Sequence, residues 1–142
     1  MIQRYGLYFA WLIAIVGSLI SLYFSEVKHM EPCHLCWYQR VCLFPLAFVL
    51  GLGAYKGDLS IARYALPLSM LGLFFAIYQV GIQEIPGWNP IDICGAGPSC
   101  STRHEVLGPI TIPMLSAVGF FLLTTLLCLV RSLEFKLPFK IK

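Results

Sequence analysis

The chain has 142 residues, a net charge of +3, and 58% hydrophobic against 12% charged residues. A water-soluble domain carries about 25% charged residues, so this composition leaves too little charge to cover a water-facing surface and points to an integral membrane protein. No basic patch of the kind that marks a nucleic-acid binder is present.

Residues 5–24 form an uncharged apolar run, and about 20 such residues cross a hydrocarbon core about 30 Å thick. A signal peptide is the competing reading, but its apolar part spans about 7–15 residues and ends at a small-residue cleavage site. This run passes instead into Ser25-Glu26-Val27-Lys28, so a retained helix is expected. Residues 25–36 form a polar loop that ends in Cys33-His34-Leu35-Cys36. A second span, 37–55, contains Pro45, and a kink rather than a break is expected there, since a membrane helix tolerates proline when neighbours re-satisfy the freed carbonyl. A short turn with Lys56 and Arg63 leads to a third span, 64–83. In it Ser69, Gly72 and Ala76 recur near the helical period, a pattern that lets a neighbouring backbone approach closely.

Residues 84–108 are the longest polar segment. Pro86, Gly87, Pro90, Gly95, Gly97 and Pro98 exclude a regular helix through its middle, and a loop of this length is usually functional or mobile. The fourth span is 109–130, with Pro109 expected in its first turn and Pro113 less than two turns in. Residues 131–142 interleave bases with Leu133, Phe135, Leu137, Phe139 and Ile141. They read as a segment at the membrane surface, its bases facing lipid headgroups.

The expected fold is therefore all-α: an integral membrane four-helix bundle, one membrane domain over residues 1–142, with two outer loops (25–36 and 84–108) that each carry a cysteine pair. Four crossings put both termini on one side. That side carries Arg4, Lys56, Arg63, Arg131, Lys136, Lys140 and Lys142, against Lys28, Arg40 and Arg103 on the cysteine side. The positive-inside rule then makes the termini cytoplasmic and the cysteine loops extracytoplasmic, on the face where disulfides form and persist.

Six cysteines are present. Cys42 and Cys128 stand alone in apolar runs and read as small buried hydrophobes. Cys33/Cys36 and Cys94/Cys100 are close pairs in polar stretches. Cys36 is expected near a helix N-terminus, where the partial positive charge favours a thiolate. Arg40, four residues on, falls on the same helix face and would set a fixed cation beside that sulfur; its bland alternative is headgroup snorkelling. Trp37 and Tyr38 suit the interfacial aromatic belt. A structural Cys33–Cys36 bridge would close too short a loop to constrain much chain. Zinc is a weak alternative: C-x2-C is a ligand spacing and His34 is near, but the Cys94/Cys100 spacing and an oxidising face disfavour it, so no metal is expected. A c-type haem needs histidine after the second cysteine, and residue 37 is Trp. Trp88 reads as a loop anchor, His34 as a solvent-exposed or pKa-tuning neighbour of the pair rather than a base, and Gln79 and Gln83 as residues that could line a cavity but, as polar residues near a helix end, need no special role. Two pairs on one face, one anchored at a helix mouth and one in a glycine-rich loop, suit an electron relay, because exchange requires sulfurs to meet in sequence through mixed disulfides.

These features resemble the DsbB/BdbC family of membrane thiol oxidases. The resemblance covers nearly the whole chain and is most specific in Cys33-His34-Leu35-Cys36-Trp37-Tyr38-Gln39-Arg40; the compact loop around Cys94 and Cys100 is similar to the shorter BdbC-type members. It implies a bacterial inner-membrane enzyme that reoxidises an extracytoplasmic DsbA/BdbD-type thioredoxin-fold protein and passes the electrons to a quinone, ubiquinone or menaquinone. It also implies that a partner thiolate attacks Cys94, that Cys94/Cys100 hand electrons to Cys33/Cys36, and that Cys36 and Arg40 face the quinone. Two other readings compete. A vitamin-K-epoxide-reductase-like enzyme would carry its quinone-side pair in the last core helix, where Cys128 is alone. A non-catalytic membrane protein would use the cysteines only to staple its loops.

Overall fold

The structure, a computed structural model, describes residues 2–29, 34–85 and 105–136, with residues 105–107 described by backbone alone. Four long helices dominate it: α1 (Ile2–Glu26), α2 (His34–Lys56), α3 (Ile61–Glu84) and α4 (Ile112–Lys136). Each has 23–25 residues, or about 35 Å at 1.5 Å per residue, and each is long and apolar enough to cross a membrane. The helices run alternately up and down, and α1 packs on α2, α2 on α3, α3 on α4, and α4 back on α1. The chain is a four-helix membrane bundle, as its composition requires. Its outer surface carries Phe9, Leu12, Val16, Phe48, Phe74, Ile77, Phe121 and Leu122. A helix that is apolar all round belongs in lipid rather than water.

The core lies toward the end of the bundle that holds the N-terminus. Leu7, Ala10 and Ala14 of α1 meet Leu46, Leu50 and Ala54 of α2, Ala62 and Ala65 of α3, and Leu123, Leu127 and Val130 of α4. Small residues set the spacing. The α-carbon of Gly51 lies against the Trp11 indole, and that of Gly72 against the Phe120 ring, where an added methyl would collide. The expected small-residue face of α3 is thus present: Ser69, Gly72 and Ala76 are all buried, and the Ser69 hydroxyl bonds that of Thr124 at 2.6 Å.

The tight turn between α2 and α3 follows from its residues. Gly57, at φ +68°, takes the left-handed position that ends α2, and the Asp58 amide returns to the Gly53 carbonyl at 3.1 Å, the bond pattern of a glycine C-cap. The Asp58 carboxylate then accepts the Ser60 amide (3.0 Å) and hydroxyl (2.6 Å). Those bonds hold its carboxyl below the usual carboxylate range, with Lys56 adding to the effect.

Two expectations need correction. Pro109 is not in the first turn of a helix. Glu105–Leu107 (β1) and Ile110–Thr111 (β2) form a short antiparallel hairpin, turned by Gly108 at φ +60° and Pro109. Glycine at the first central position is what a type II′ turn requires. Helix α4 therefore starts at Ile112, and Pro113 is its second residue, where the missing amide proton costs no helical bond. Cys128, expected to be buried, is exposed on the outer face of α4. Cys42 is buried as expected. Helix α2 continues unbroken through Pro45, and α3 likewise through Pro67. The expected surface segment is helical as far as Lys136; residues 137–142, Trp88 and the middle of the 84–108 loop lie outside the described residues.

Candidate functional site: the mouth of α2

Helix α2 begins at His34, so Cys36 is its third residue and sits in the first turn, where backbone amide protons have no intrahelical partner. Leu35, fully buried, and Tyr78 form a small apolar cluster with Phe75, Ile82 and the half-buried Cys36. Tyr38 stacks on Phe75 with ring centroids 5.4 Å apart. Trp37 and Tyr38 stand largely exposed on the outside of the bundle, consistent with an interfacial belt. His34 is exposed, as expected.

The Cys36 sulfur faces α3. Gln79 Nε2 donates to Sγ at 3.3 Å, and the thiol itself donates to Gln79 Oε1 at 3.7 Å. Gln79 is only 3% exposed. Its Oε1 accepts a 2.7 Å bond from Gln39 Nε2, and Gln39 Oε1 accepts one from the Ser116 hydroxyl. A chain of side-chain bonds thus runs from the thiol across α3 and α2 to α4.

Arg40 lies one turn beyond Cys36 but leaves α2 toward α1. Its Nε donates to Ser21 Oγ and its Nη2 to the Ser21 carbonyl, both at 2.8 Å, while Nη1 reaches Ser25 Oγ at 3.4 Å. The guanidinium carbon stands 5.5 Å from the centre of the Trp37 ring. Arg40 is 9% exposed, so its charge is turned into the bundle and does not reach outward to headgroups. Among the described residues its hydrogen-bond partners are neutral oxygens. No carboxylate among the described residues balances this buried cation, an arrangement that suits an electron-rich oxygen of a ligand. The shared-face expectation therefore resolves into two directions, the thiol toward α3 and the guanidinium toward α1.

Cys33, Cys94 and Cys100 lie outside the described residues. Five side chains at this mouth carry no local mark in the sequence: Ser21, Ser25, Gln39 and Ser116 stand outside the sequence-based expectation, and Gln79 needs no special role in it. The available signal was general. Polar residues inside an apolar span are expensive and tend to be functional, and Ser21 and Ser25 recur at i and i+4 on one face of α1.

Comparison with known proteins agrees with this architecture. The model of the family described as disulfide bond formation protein DsbB matches residues 3–130. A protein of Chlamydia muridarum named "Probable disulfide formation protein" is 52% identical, over 94% of this chain and 98% of its own. A protein of the same name from Chlamydia trachomatis is 52% identical, over 90% of this chain and 93% of its own. Another of that name from Coxiella burnetii is 48% identical, over 87% and 86%. No solved structure matches. The chain belongs to the DsbB family of disulfide bond formation proteins.

Proposed function

We propose that this chain is a disulfide-generating enzyme of the extracytoplasmic face, which oxidises the dithiol of a DsbA/BdbD-type thioredoxin-fold protein and passes the electrons to a membrane quinone. The observation that carries the reading is the buried Arg40 guanidinium, held by neutral oxygens one helical turn from the Cys36 thiol. Membership of the DsbB family supports the disulfide chemistry.

The chemistry balances as two successive exchanges. A partner thiolate attacks Cys94 of a Cys94–Cys100 disulfide, and the second partner thiol resolves the mixed disulfide, leaving the partner oxidised and the loop pair reduced. The loop pair in turn reduces a Cys33–Cys36 disulfide and regains its own. A quinone, when bound, supplies the acceptor for the two electrons and two protons that leave the Cys33/Cys36 dithiol as it closes again. Arg40 stabilises negative charge on an acceptor oxygen, an effect that is large where water is excluded. Leu35, Phe75, Tyr78 and Ile82 exclude that water around Cys36. Ser21 and Ser25 keep the guanidinium in place. The excess of Lys and Arg at the opposite end of the bundle supports a bacterial inner-membrane orientation with cytoplasmic termini.

The test is reconstitution in proteoliposomes with a reduced thioredoxin-fold substrate and added ubiquinone or menaquinone. Substrate oxidation should require quinone and should be lost when Cys33, Cys36, Cys94 or Cys100 is changed to Ser. Quinone-independent turnover, or full turnover without the loop pair, would contradict the reading. A membrane-impermeant thiol reagent should reach Cys94 and Cys100 from outside the cell after mild reduction; labelling from the cytoplasmic side alone would reverse the topology.

A further inference from the structure

The only thiol at the mouth of α2 whose surroundings are described, Cys36, touches an amide. Gln79 Nε2 is 3.3 Å from Sγ. The direction of that contact is set two residues away. The Ser116 hydroxyl donates to Gln39 Oε1, which leaves Gln39 Nε2 to donate to Gln79 Oε1 at 2.7 Å. That oxygen also accepts the Cys36 thiol at 3.7 Å, so loss of the thiol proton leaves the closer amide N–H as the hydrogen bond to the sulfur. Both glutamines are nearly excluded from solvent, at 7% and 3% exposure, so water is a poor competitor for these bonds. Arg40 directs its donors to Ser21 and Ser25 on α1.

We propose that Gln79 is a positioning residue for the redox step: held by Gln39 and Ser116, its amide N–H fixes the Cys36 sulfur and stabilises it as a thiolate. The inference rests on the proposed function, in which Cys36 is a leaving group. When a loop thiolate attacks Cys33, a new bond to the Cys33 sulfur forms, the Cys33–Cys36 bond breaks, and its electron pair stays on Cys36. A donor already aimed at that sulfur lowers the barrier to its departure and favours the reduced pair at equilibrium, since a hydrogen bond to a charged group is stronger than one to a neutral group. A purely structural bond between helices would have no such consequence.

The experiment uses the full-length protein with Cys94 and Cys100 changed to Ser, so that Cys33/Cys36 is titrated alone against glutathione. Gln79→Met keeps the length of the side chain and removes the donor. It should shift the thiol–disulfide equilibrium about tenfold toward the disulfide, which is about 30 mV more negative for a two-electron couple. It should also slow alkylation of the Cys36 thiol at neutral pH by about the same factor. Gln39→Met should move both in the same direction by about threefold, because it removes the group that orients the amide. If Gln79→Met does not fold, Gln39→Met and Ser116→Ala decide the matter. A potential equal to that of the parent, with only the melting temperature lowered, overturns the inference. Neither readout uses quinone or a partner protein. A shifted potential without quinone-linked turnover would therefore sink the proposed function alone, and an unshifted potential with normal turnover would sink this inference alone.

Discussion

The two ends of the bundle are built from different materials. At the end that holds the N-terminus, the helices meet through Leu, Ala and Val, and the connection between α2 and α3 is a tight glycine-capped turn. At the mouth of α2, the buried set includes Gln39, Arg40 and Gln79, tied to Ser21, Ser25 and Ser116 on the flanking helices. In lipid the apolar packing of the first end supplies van der Waals contact without a polar penalty. The polar groups of the second end are costly in a membrane and persist where they do chemistry. On the proposed function, stability belongs to one end and reactivity to the other, so substitutions at the two ends should have separable effects.

The largest separation should come from Arg40→Leu. Removing a preorganised charge at an acceptor oxygen costs about a hundredfold or more in rate. Quinone-linked turnover should fall by about that much, while exchange between the Cys94/Cys100 pair and a reduced partner stays within about twofold. An unchanged quinone dependence would return Arg40 to a structural role. The next effect is on stability. Gly72→Leu drives a side chain into the Phe120 ring, and overpacking of this kind costs about 1–3 kcal/mol. Its melting temperature in detergent should drop by several degrees, with the Cys33/Cys36 potential unmoved. A smaller loss is expected for Ser69→Ala, which removes the bond to Thr124. Interhelical hydrogen bonds in membranes average about 0.6 kcal/mol, and denaturant or thermal unfolding would read it.

The smallest effect concerns the α2–α3 turn. The Ser60 hydroxyl and amide lower the Asp58 carboxyl below its ordinary value. A lowered folded-state value means that the carboxylate contributes stability above its unfolded pKa, about 3.9. That contribution disappears as the pH falls through the lower, folded value. Ser60→Ala should raise the Asp58 titration toward the ordinary value, as followed by carboxyl-carbon NMR, and should leave redox behaviour untouched. A fall in redox rate would show that the two ends are coupled.

The same contrast explains what the sequence could disclose. The spans were legible because crossing a membrane imposes a long apolar run, a local property. Ser69, Gly72 and Ala76 were legible because a small-residue face repeats along one helix. Cys36 and Arg40 stood out as chemistry-bearing residues at a helix start. Their directions did not: Arg40 finds its partners 15 and 19 residues back, Cys36 finds Gln79 43 residues on, and Gln39 finds Ser116 77 residues on. Such pairings depend on how the helices are rotated in the bundle, which no local spacing states. The hairpin before α4 was missed for a related reason. A Gly-Pro pair marks a turn, but two short strands are too brief to show an alternating pattern.

On the proposed function, the mouth of α2 is the place where electrons leave the protein, and one measurement addresses this directly. Protein with both cysteine pairs reduced is placed in anaerobic nanodiscs, mixed with excess quinone, and the quinol formed per chain is counted. Each dithiol that closes releases two electrons, so the parent should yield two quinols per chain and the variant lacking Cys94 and Cys100 should yield one. Cys36→Ser should yield none, because the loop pair then has no route to the acceptor. Quinol formed by Cys36→Ser at the parent's rate would place the exit elsewhere and contradict the account.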